Sequence, residues 1–309
     1  MTKYICFVIF THLILMNSIL SKSDRELEAF QGYEGVWLKT DRIEVFVGLK
    51  PNLRIVSLSI PDQANILNSS PETPVGIRTW LMNPVEKLDA RGVFDTLPAD
   101  TWECIPNGIV ARTQASPDLG LSLQWTVVLD PDKPELTIDH EIRNRSDQQQ
   151  DISVWSLIVL RPSSVMEIPL DHPERIERLE NPYPLYLFPY ASHRDPRMEI
   201  KDDVLHLSVT NAPEFGGFKI GVVSSSGSGV VRLEDQELVS RVPYIAGAIY
   251  PEGGPNITAY LTGNVKHLFG ELEHMSPIES LHPGAKVSLK QRLSLEQAKD
   301  SRTMSSVND

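Results

Sequence analysis

The chain has 309 residues and a formal net charge of −12 at pH 7. A protein this acidic is repelled by nucleic acid and by anionic membranes, so non-specific binding to either is disfavoured. Only Cys104 would remain after removal of the N-terminal segment described next, which excludes an intrachain disulfide and requires a packed core for stability.

The N-terminus is typical of a secretory signal peptide. Lys3 supplies a short basic start, and a mostly apolar run from Tyr4 to Leu20 follows it. This run is short for a membrane-spanning helix, and cleavage after Ser21 is expected. The pattern predicts a signal peptide over residues 1–21, a polar lead-in over 22–40, and a secreted or periplasmic protein with no membrane attachment after cleavage.

From Glu44 to Leu295, short β-branched or aromatic runs alternate apolar and polar residues, and Pro, Gly, Asn and Asp separate them. In the run Leu119–Leu129, for example, one face is apolar and therefore meets a core. The predicted strands are Arg42–Val47, Leu53–Ile60, Gly108–Thr113, Leu119–Leu129, Glu135–Arg143, Ile152–Leu160, Val204–Val209, Phe218–Val223, Glu237–Tyr244, Ile257–Leu261, Lys266–Met275 and Ala285–Leu295.

These strands outnumber those of a simple sandwich, and no long helical period accompanies them. The sequence therefore predicts one all-β domain of stacked antiparallel sheets over residues 41–296. A short helix is expected at Pro173–Leu179, and residues 297–309 are expected to be a disordered tail.

Two carboxylates share one face of the predicted strand Lys266–Met275. Alternation places Glu271 and Glu273 on the same side, with attachment points about 7 Å apart. In a partly dry cavity their repulsion would raise one pKa, as a general acid or base near neutral pH requires. The same pair could hold a cation, or lie idle on the solvated face of an edge strand.

A histidine lies on the apolar side of the strand Leu136–Arg143. His140 is in register with Leu136, Ile138 and Ile142, which predicts a sequestered imidazole. A histidine in such a position is more often a core residue with one hydrogen bond than a catalyst, although its usual pKa suits proton transfer.

Several guanidinium groups lie near aromatic residues in the sequence. Arg78 is close to Trp80, and the cluster His193–Arg197 follows Tyr190. Planar donors beside flat apolar rings suit sugar hydroxyls, uronate carboxylates or sulfate groups, although surface turns with ordinary ion pairs are the alternative. The candidate ligand-binding residues are Arg78, Trp80, Trp155, Arg194, Arg197 and Tyr250.

Taken in order, these segments resemble an uncharacterised secreted domain family of the galactose mutarotase-like (aldose 1-epimerase-like) superfamily. The resemblance implies a galactose mutarotase-like β-supersandwich and a carbohydrate ligand. The matching stretches are Gly76–Glu86, His140–Asn144, Val154–Leu157, Asp195–Arg197, Lys219–Gly221, Tyr250–Gly254, Glu271–Pro277 and Pro283–Gly284.

In aldose mutarotases a glutamate on a late strand takes the proton of the anomeric hydroxyl, and a histidine protonates the ring oxygen. The resemblance implies Glu273 as that base, with Glu271 as the alternative. The region where the histidine is expected reads Val154–Leu157 and contains no imidazole, which leaves His140 as the candidate acid. Arg78 matches a superfamily position whose preceding Asn is here Ile77, so the resemblance implies a re-lined pocket.

The sequence thus favours an exported carbohydrate-handling protein that, if an enzyme, acts by proton transfer on an oligosaccharide or sugar acid. A non-catalytic carbohydrate-binding module and a structural or partner-binding β-sandwich are the alternatives. Glycoside hydrolysis ranks lower, because two neighbours on one strand do not flank a scissile bond. No cofactor or metal is implied, a monomer or weak oligomer is expected, and triplets at Asn68, Asn144 and Asn256 match the N-glycosylation pattern.

Overall fold

The structure is a computed structural model that describes residues 26–70, 72–82, 91–170, 185–234, 236–263 and 265–297. The expected signal peptide, the helix expected at Pro173–Leu179 and residues 298–309 of the expected tail lie outside the described residues. Within the described part of the chain, no helix is long and apolar enough to cross a membrane.

Strands dominate the described residues, and short 3-10 helices lie at Val93–Thr96, Pro251–Gly253 and Val265–His267. The strands are β1 (Glu28–Phe30), β2 (Tyr33–Lys39), β3 (Glu44–Lys50), β4 (Arg54–Ser59), β5 (Ile77–Met82), β6 (Ala99–Ile105), β7 (Gly108–Thr113), β8 (Leu121–Leu129), β9 (Glu135–Asn144), β10 (Gln150–Leu160), β11 (Val165–Pro169), β12 (Leu185–Leu187), β13 (Met198–Lys201), β14 (Val204–Ser208), β15 (Phe218–Val222), β16 (Ser228–Leu233), β17 (Gln236–Arg241), β18 (Ile257–Leu261), β19 (Gly270–Met275), β20 (Glu279–Leu281) and β21 (Lys286–Gln297).

The described strands form two antiparallel sheets. Sheet I has eleven strands in the order β1-β2-β3-β4-β5-β10-β19-β18-β15-β12, with β20 paired to β10. Sheet II has ten strands in the order β13-β14-β11-β16-β17-β21-β9-β8-β7-β6. The predicted all-β fold of stacked antiparallel sheets is confirmed.

Two local predictions differ from the structure. The stretch expected to be a polar lead-in contains β1 and β2, because Gln31 and Gly32 close a hairpin with φ values of 49° and 82°. Trp37 on β2 then packs its ring on Phe30 and Phe46. The predicted strand Lys266–Met275 begins only at Gly270, because the preceding residues form the connection from β18.

The two faces of sheet I differ in character. On β5, Ile77 and Leu81 are buried in the large core between the sheets, whereas Arg78 and Trp80 project from the opposite face, called the outer face here. A separate small hydrophobic cluster on the outer face contains Met82, Trp155, Leu157, Tyr250 and Met275. Sheet I is therefore packed on both sides.

A buried hydrogen-bond network crosses between the sheets. Thr79 Oγ1 lies 2.7 Å from His140 Nδ1 and accepts a bond of 2.8 Å from Trp125 Nε1. His140 Nε2 lies 3.1 Å from Gln291 Oε1, so this imidazole joins β5 of sheet I to β21 of sheet II. His140 is 0% exposed, and the predicted sequestration of its imidazole is confirmed.

A second histidine extends this network. His274 Nε2 lies 2.9 Å from Ser240 Oγ, which accepts a bond of 2.9 Å from the Gln291 amide. Burial lowers the pKa of His140 to about 4, although its bond to Gln291 acts in the opposite direction. Burial, with the neighbouring His140, lowers the pKa of His274 to about 3. Both imidazoles are therefore neutral in the folded protein at neutral pH.

The asparagines of the three glycosylation triplets are structural. Asn68, Asn144 and Asn256 are between 0% and 4% exposed. The Asn144 amide donates to two backbone carbonyls, those of Gln148 and Leu281, at 2.7 and 2.9 Å. The folded chain has no room for a glycan on these side chains.

Candidate functional site

The centre of sheet I aligns polar and aromatic side chains on its outer face. The register places Trp155 of β10 between Trp80 of β5 and Met275 of β19. It places Glu273 of β19 opposite Thr258 of β18, two positions from Glu271. Alternation therefore brings both glutamates to the same face, as the sequence predicts.

A first chain of charges ends at Glu271. Arg78 Nη2 donates to Glu271 Oε1 at 2.7 Å, and Arg78 Nη1 donates to Asp95 Oδ2 at 3.0 Å. Arg54 Nη2 donates to the other oxygen of Asp95 at 3.0 Å. The Asp95 carboxylate, held on the 3-10 helix Val93–Thr96, thus bridges two buried guanidinium groups.

A second chain of charges ends at Glu273. Lys219 Nζ of β15 lies 3.3 Å from Glu273 Oε2 and 3.3 Å from Glu252 Oε2. Arg91 Nη1 lies 3.4 Å from the other oxygen of Glu252. Each chain alternates two cations with two carboxylates. The two chains, with Trp80 and Trp155, are called the outer-face cluster below.

The two tryptophans link these chains. Trp80 Nε1 donates to Asp95 Oδ2 at 2.6 Å, and Trp155 Nε1 donates to Glu273 Oε2 at 3.0 Å. Their rings pack edge to face with centroids 5.3 Å apart. A Cβ at Gly92 would lie 3.3 Å from the Trp80 ring, so a glycine there lets the ring approach the backbone.

The Glu273 carboxylate is held through one oxygen. The indole N–H of Trp155, the hydroxyl of Thr258 and the ammonium of Lys219 all contact Oε2. These donors come from three strands of sheet I, so they fix the carboxylate without involving Oε1. A carboxylate held in this way can accept a proton or a ligand hydroxyl through its second oxygen.

Glu271 has a different environment. Burial raises the pKa of Glu271 to about 7, and the negative charge of Glu273 adds to this, while Arg78 acts in the opposite direction. A carboxyl group with this pKa exchanges its proton near neutral pH, which is a property of acid–base sites.

The two glutamates of the outer-face cluster, Glu271 and Glu273, are almost completely buried. The side chains of Glu273 and Lys219 are 2% and 7% exposed, whereas Tyr190 is 54% exposed. Burial and the nearby Glu273 carboxylate raise the pKa of the Tyr190 hydroxyl. A ligand therefore reaches the Glu273 carboxylate only when the side chains that cover it move aside.

The turn that contains Tyr250 contributes side chains to the outer face of sheet I. Tyr250 stacks on Tyr244 with centroids 5.6 Å apart and is buried in the same small cluster as Trp155. Two residues later, Glu252 has the left-handed φ of 54°, which is uncommon for a residue with a side chain. This conformation accompanies the placement of its carboxylate between Arg91 and Lys219.

Three of the residues predicted to act at the site are not joined to the outer-face cluster by the described hydrogen bonds or ion pairs. His140 faces the opposite side of sheet I and bonds to Thr79 and Gln291, because β9 belongs to sheet II. Arg197 is 3% exposed, and its guanidinium is committed to Asp195 and to backbone carbonyls. Arg194 is exposed on the surface. The geometry brings together the other predicted residues, which are Arg78, Trp80, Trp155, Tyr250, Glu271 and Glu273.

The sequence analysis missed five charged members of the outer-face cluster: Arg54, Arg91, Asp95, Lys219 and Glu252. A signal existed for two of them, since Arg54 and Lys219 are the lone charged residues of their strands. The other three lie in turns or connections, where no periodicity indicates which way a side chain points.

An open groove of about 680 Å³ lies elsewhere, beside β9, β17 and β21 of sheet II. Its lining includes Arg241, Lys290 and Arg292, which are exposed residues on a solvated face. Such a face lacks the buried charges and orienting contacts of the outer-face cluster. In the part of the chain that the structure describes, no group of His, Cys, Asp or Glu is arranged to hold a metal ion.

The fold is that of galactose mutarotase-like proteins. Among solved structures, a galactose mutarotase-like protein from Lactobacillus casei has a TM-score of 0.57 at 12% identity, covering 85% of this chain and 100% of that one. One from Clostridium acetobutylicum has a TM-score of 0.55 at 9% identity, covering 88% and 98%. Galactose 1-epimerase from Lactobacillus acidophilus has a TM-score of 0.53 at 12% identity, covering 90% and 99%. No protein-family model matches the chain, and no curated protein sequence matches it either.

Proposed function

We propose that this protein binds a carbohydrate at the outer-face cluster and interconverts its anomers by proton transfer, with Glu273 as the base. Structures with the same fold include a galactose 1-epimerase, which supports a sugar as the ligand. The observation that carries the proposal is the geometry of Glu273, whose Oε2 is held by three strands while Oε1 is left for a ligand.

The surroundings of Glu273 match the chemistry of a sugar. A pyranose has apolar C–H faces and a rim of hydroxyl groups, so it suits a site that combines aromatic rings with fixed polar groups. The partly exposed ring of Trp80 and the exposed ring of Tyr190 supply the aromatic surface, while Trp155 is buried and packs edge to face on Trp80. Arg91 and Lys219 supply donors for hydroxyl or carboxylate oxygens.

A second candidate function is carbohydrate binding without turnover. It is favoured by the position of His140, which faces the core between the sheets and cannot protonate a sugar on the outer face. In this case the same residues bind the ligand, and Glu273 accepts a hydroxyl hydrogen bond without taking the proton.

Thermal unfolding in the presence of neutral, uronic and sulfated sugars tests the binding. A ligand that binds only the folded state raises the unfolding temperature. Each stabilising aldose is then followed by proton NMR for exchange between its anomers. We expect faster exchange with the unmodified protein and a loss of roughly 100-fold or more in Glu273→Gln.

The matched control is Glu199→Gln, on the exposed strand β13, which should keep the full exchange rate. Stabilisation by a sugar without accelerated exchange would establish the binding function and contradict the catalytic one. No stabilisation by any sugar would contradict both.

A further inference from the structure

Lys219 is an ammonium group at the centre of the outer-face cluster. Its Nζ lies over the rings of Trp155 and Phe188, 4.4 and 4.9 Å from their centroids. The same atom lies 3.3 Å from Glu273 Oε2 and 3.3 Å from Glu252 Oε2. The contact with Glu252 Oε2 is an ion pair without hydrogen-bond geometry, because that oxygen has no hydrogen-bond partner among the described residues. The three N–H groups of the ammonium are therefore not donated to it.

Anomer exchange needs an acid close to its base. The anomeric oxygen and the ring oxygen are bonded to the same carbon, so the group that protonates one must lie near the group that deprotonates the other. Lys219 Nζ meets this condition, at 3.3 Å from the Glu273 carboxylate. Glu271 is attached about 7 Å along the same strand, and its Oε1 is bonded to Arg78.

Apart from the carboxyl groups, the other titratable groups described near Glu273 are poorer acids or do not face it. Arg78 and Arg91 do not release a proton in proteins. Burial raises the pKa of Tyr190 and Tyr260 above that of a free phenol, so they hold their protons more tightly. His140 lies on the far side of the sheet.

We propose that Lys219 is the proton donor to the ring oxygen, an inference that rests on the anomer exchange proposed above. Glu273 takes the proton of the anomeric hydroxyl, Lys219 gives one proton to the ring oxygen, and the bond between the anomeric carbon and the ring oxygen breaks. The open-chain aldehyde rotates about its first carbon–carbon bond. Glu273 then returns its proton to the aldehyde oxygen, Lys219 recovers one from the attacking hydroxyl, and the ring closes with inverted configuration.

The test compares Lys219→Arg with Lys219→Met. Arginine keeps the positive charge beside Glu252 and Glu273 but cannot give up a proton, whereas methionine removes both charge and proton. Lys201→Met, on the exposed strand β13, is the control. Thermal unfolding establishes that each variant is folded, and NMR measures binding and anomer exchange with D-glucose and D-glucuronate as probes.

We expect Lys219→Arg to bind the sugar with little change in Kd and to lose exchange by roughly 100-fold or more, as does Lys219→Met. A Lys219→Arg variant that keeps its exchange rate would overturn the proposal, because charge alone would then suffice. Loss of sugar binding in both variants would also overturn it, because Lys219 would then be a binding group. An unmodified protein that binds a probe without exchanging it would refute the reaction itself, before any Lys219 variant is considered.

Discussion

Acid should destabilise this fold through two buried histidines. His140 and His274 have pKa values of about 4 and about 3 in the folded protein, against about 6.5 in an unfolded chain. Because the folded values are lower, the unfolded chain binds more protons below pH 6.5, and stability falls as the pH decreases. At pH 5.0, 1.5 units below the unfolded value, each histidine costs about 2 kcal/mol.

Glu271 acts in the opposite direction. Its pKa of about 7 lies above the value of an unfolded glutamate, so the folded protein gains protons, and stability, as the pH falls below 7. The net acid sensitivity of the unmodified protein therefore mixes opposing contributions. A comparison with a variant isolates the contribution of one histidine.

The variant is His274→Gln, and the assay is urea unfolding at pH 7.5 and pH 5.0. The difference in unfolding free energy between the two pH values should decrease by about 2 kcal/mol, whatever the variant loses at pH 7.5. His193→Gln, at an exposed position, should leave that difference unchanged. An unchanged difference in His274→Gln would show that the imidazole is not held neutral between the sheets.

Three further outcomes follow from the contacts. Asp95→Asn removes the charge that pairs with the buried Arg54 and Arg78, so it should lower the unfolding free energy in urea titrations by roughly 2–4 kcal/mol. This is less than the cost of breaking a fully buried pair, because the Asp95 side chain is 23% exposed. A loss within experimental error would contradict the bridging role of Asp95. Arg197→Lys should lower the unfolding temperature and leave the Kd for sugar unchanged, since the Arg197 guanidinium is bonded to structural partners. A higher Kd in this variant would show that Arg197 contributes to sugar binding. Folded protein secreted from a glycosylating host should show no glycan at Asn144 by intact mass, and a glycan there would contradict its buried geometry.

Local alternation predicted much of the fold. The strands Gly108–Thr113 and Ile257–Leu261 have the bounds that the sequence pattern indicates, because both contain β-branched residues and turn residues flank them. The placement of Glu271 and Glu273 on one face also follows from period two alone. The hairpin within residues 26–39 could not be predicted in this way, since it depends on the positive φ of Gln31, which no alternation of residues indicates.

The candidate site depended on information that alternation does not contain. Arg78 and Glu271 are bonded although 193 residues separate them, so only the order of strands in sheet I brings them together. His140 illustrates the converse, because its burial was predictable but its location between the sheets depends on β9 joining sheet II. Asp95 lies on a 3-10 helix outside the sheet, and its bridge to Arg78 is a tertiary contact with no local signature.

The most direct test is a crystal structure of the protein with the sugar that raises its unfolding temperature most. The sugar is predicted to lie on the outer face of sheet I against Trp155, with a hydroxyl oxygen within hydrogen-bond distance of Glu273 Oε1 and another near Lys219 Nζ. A sugar bound instead in the groove of sheet II, beside Arg241 and Arg292, would contradict the assignment of the functional site.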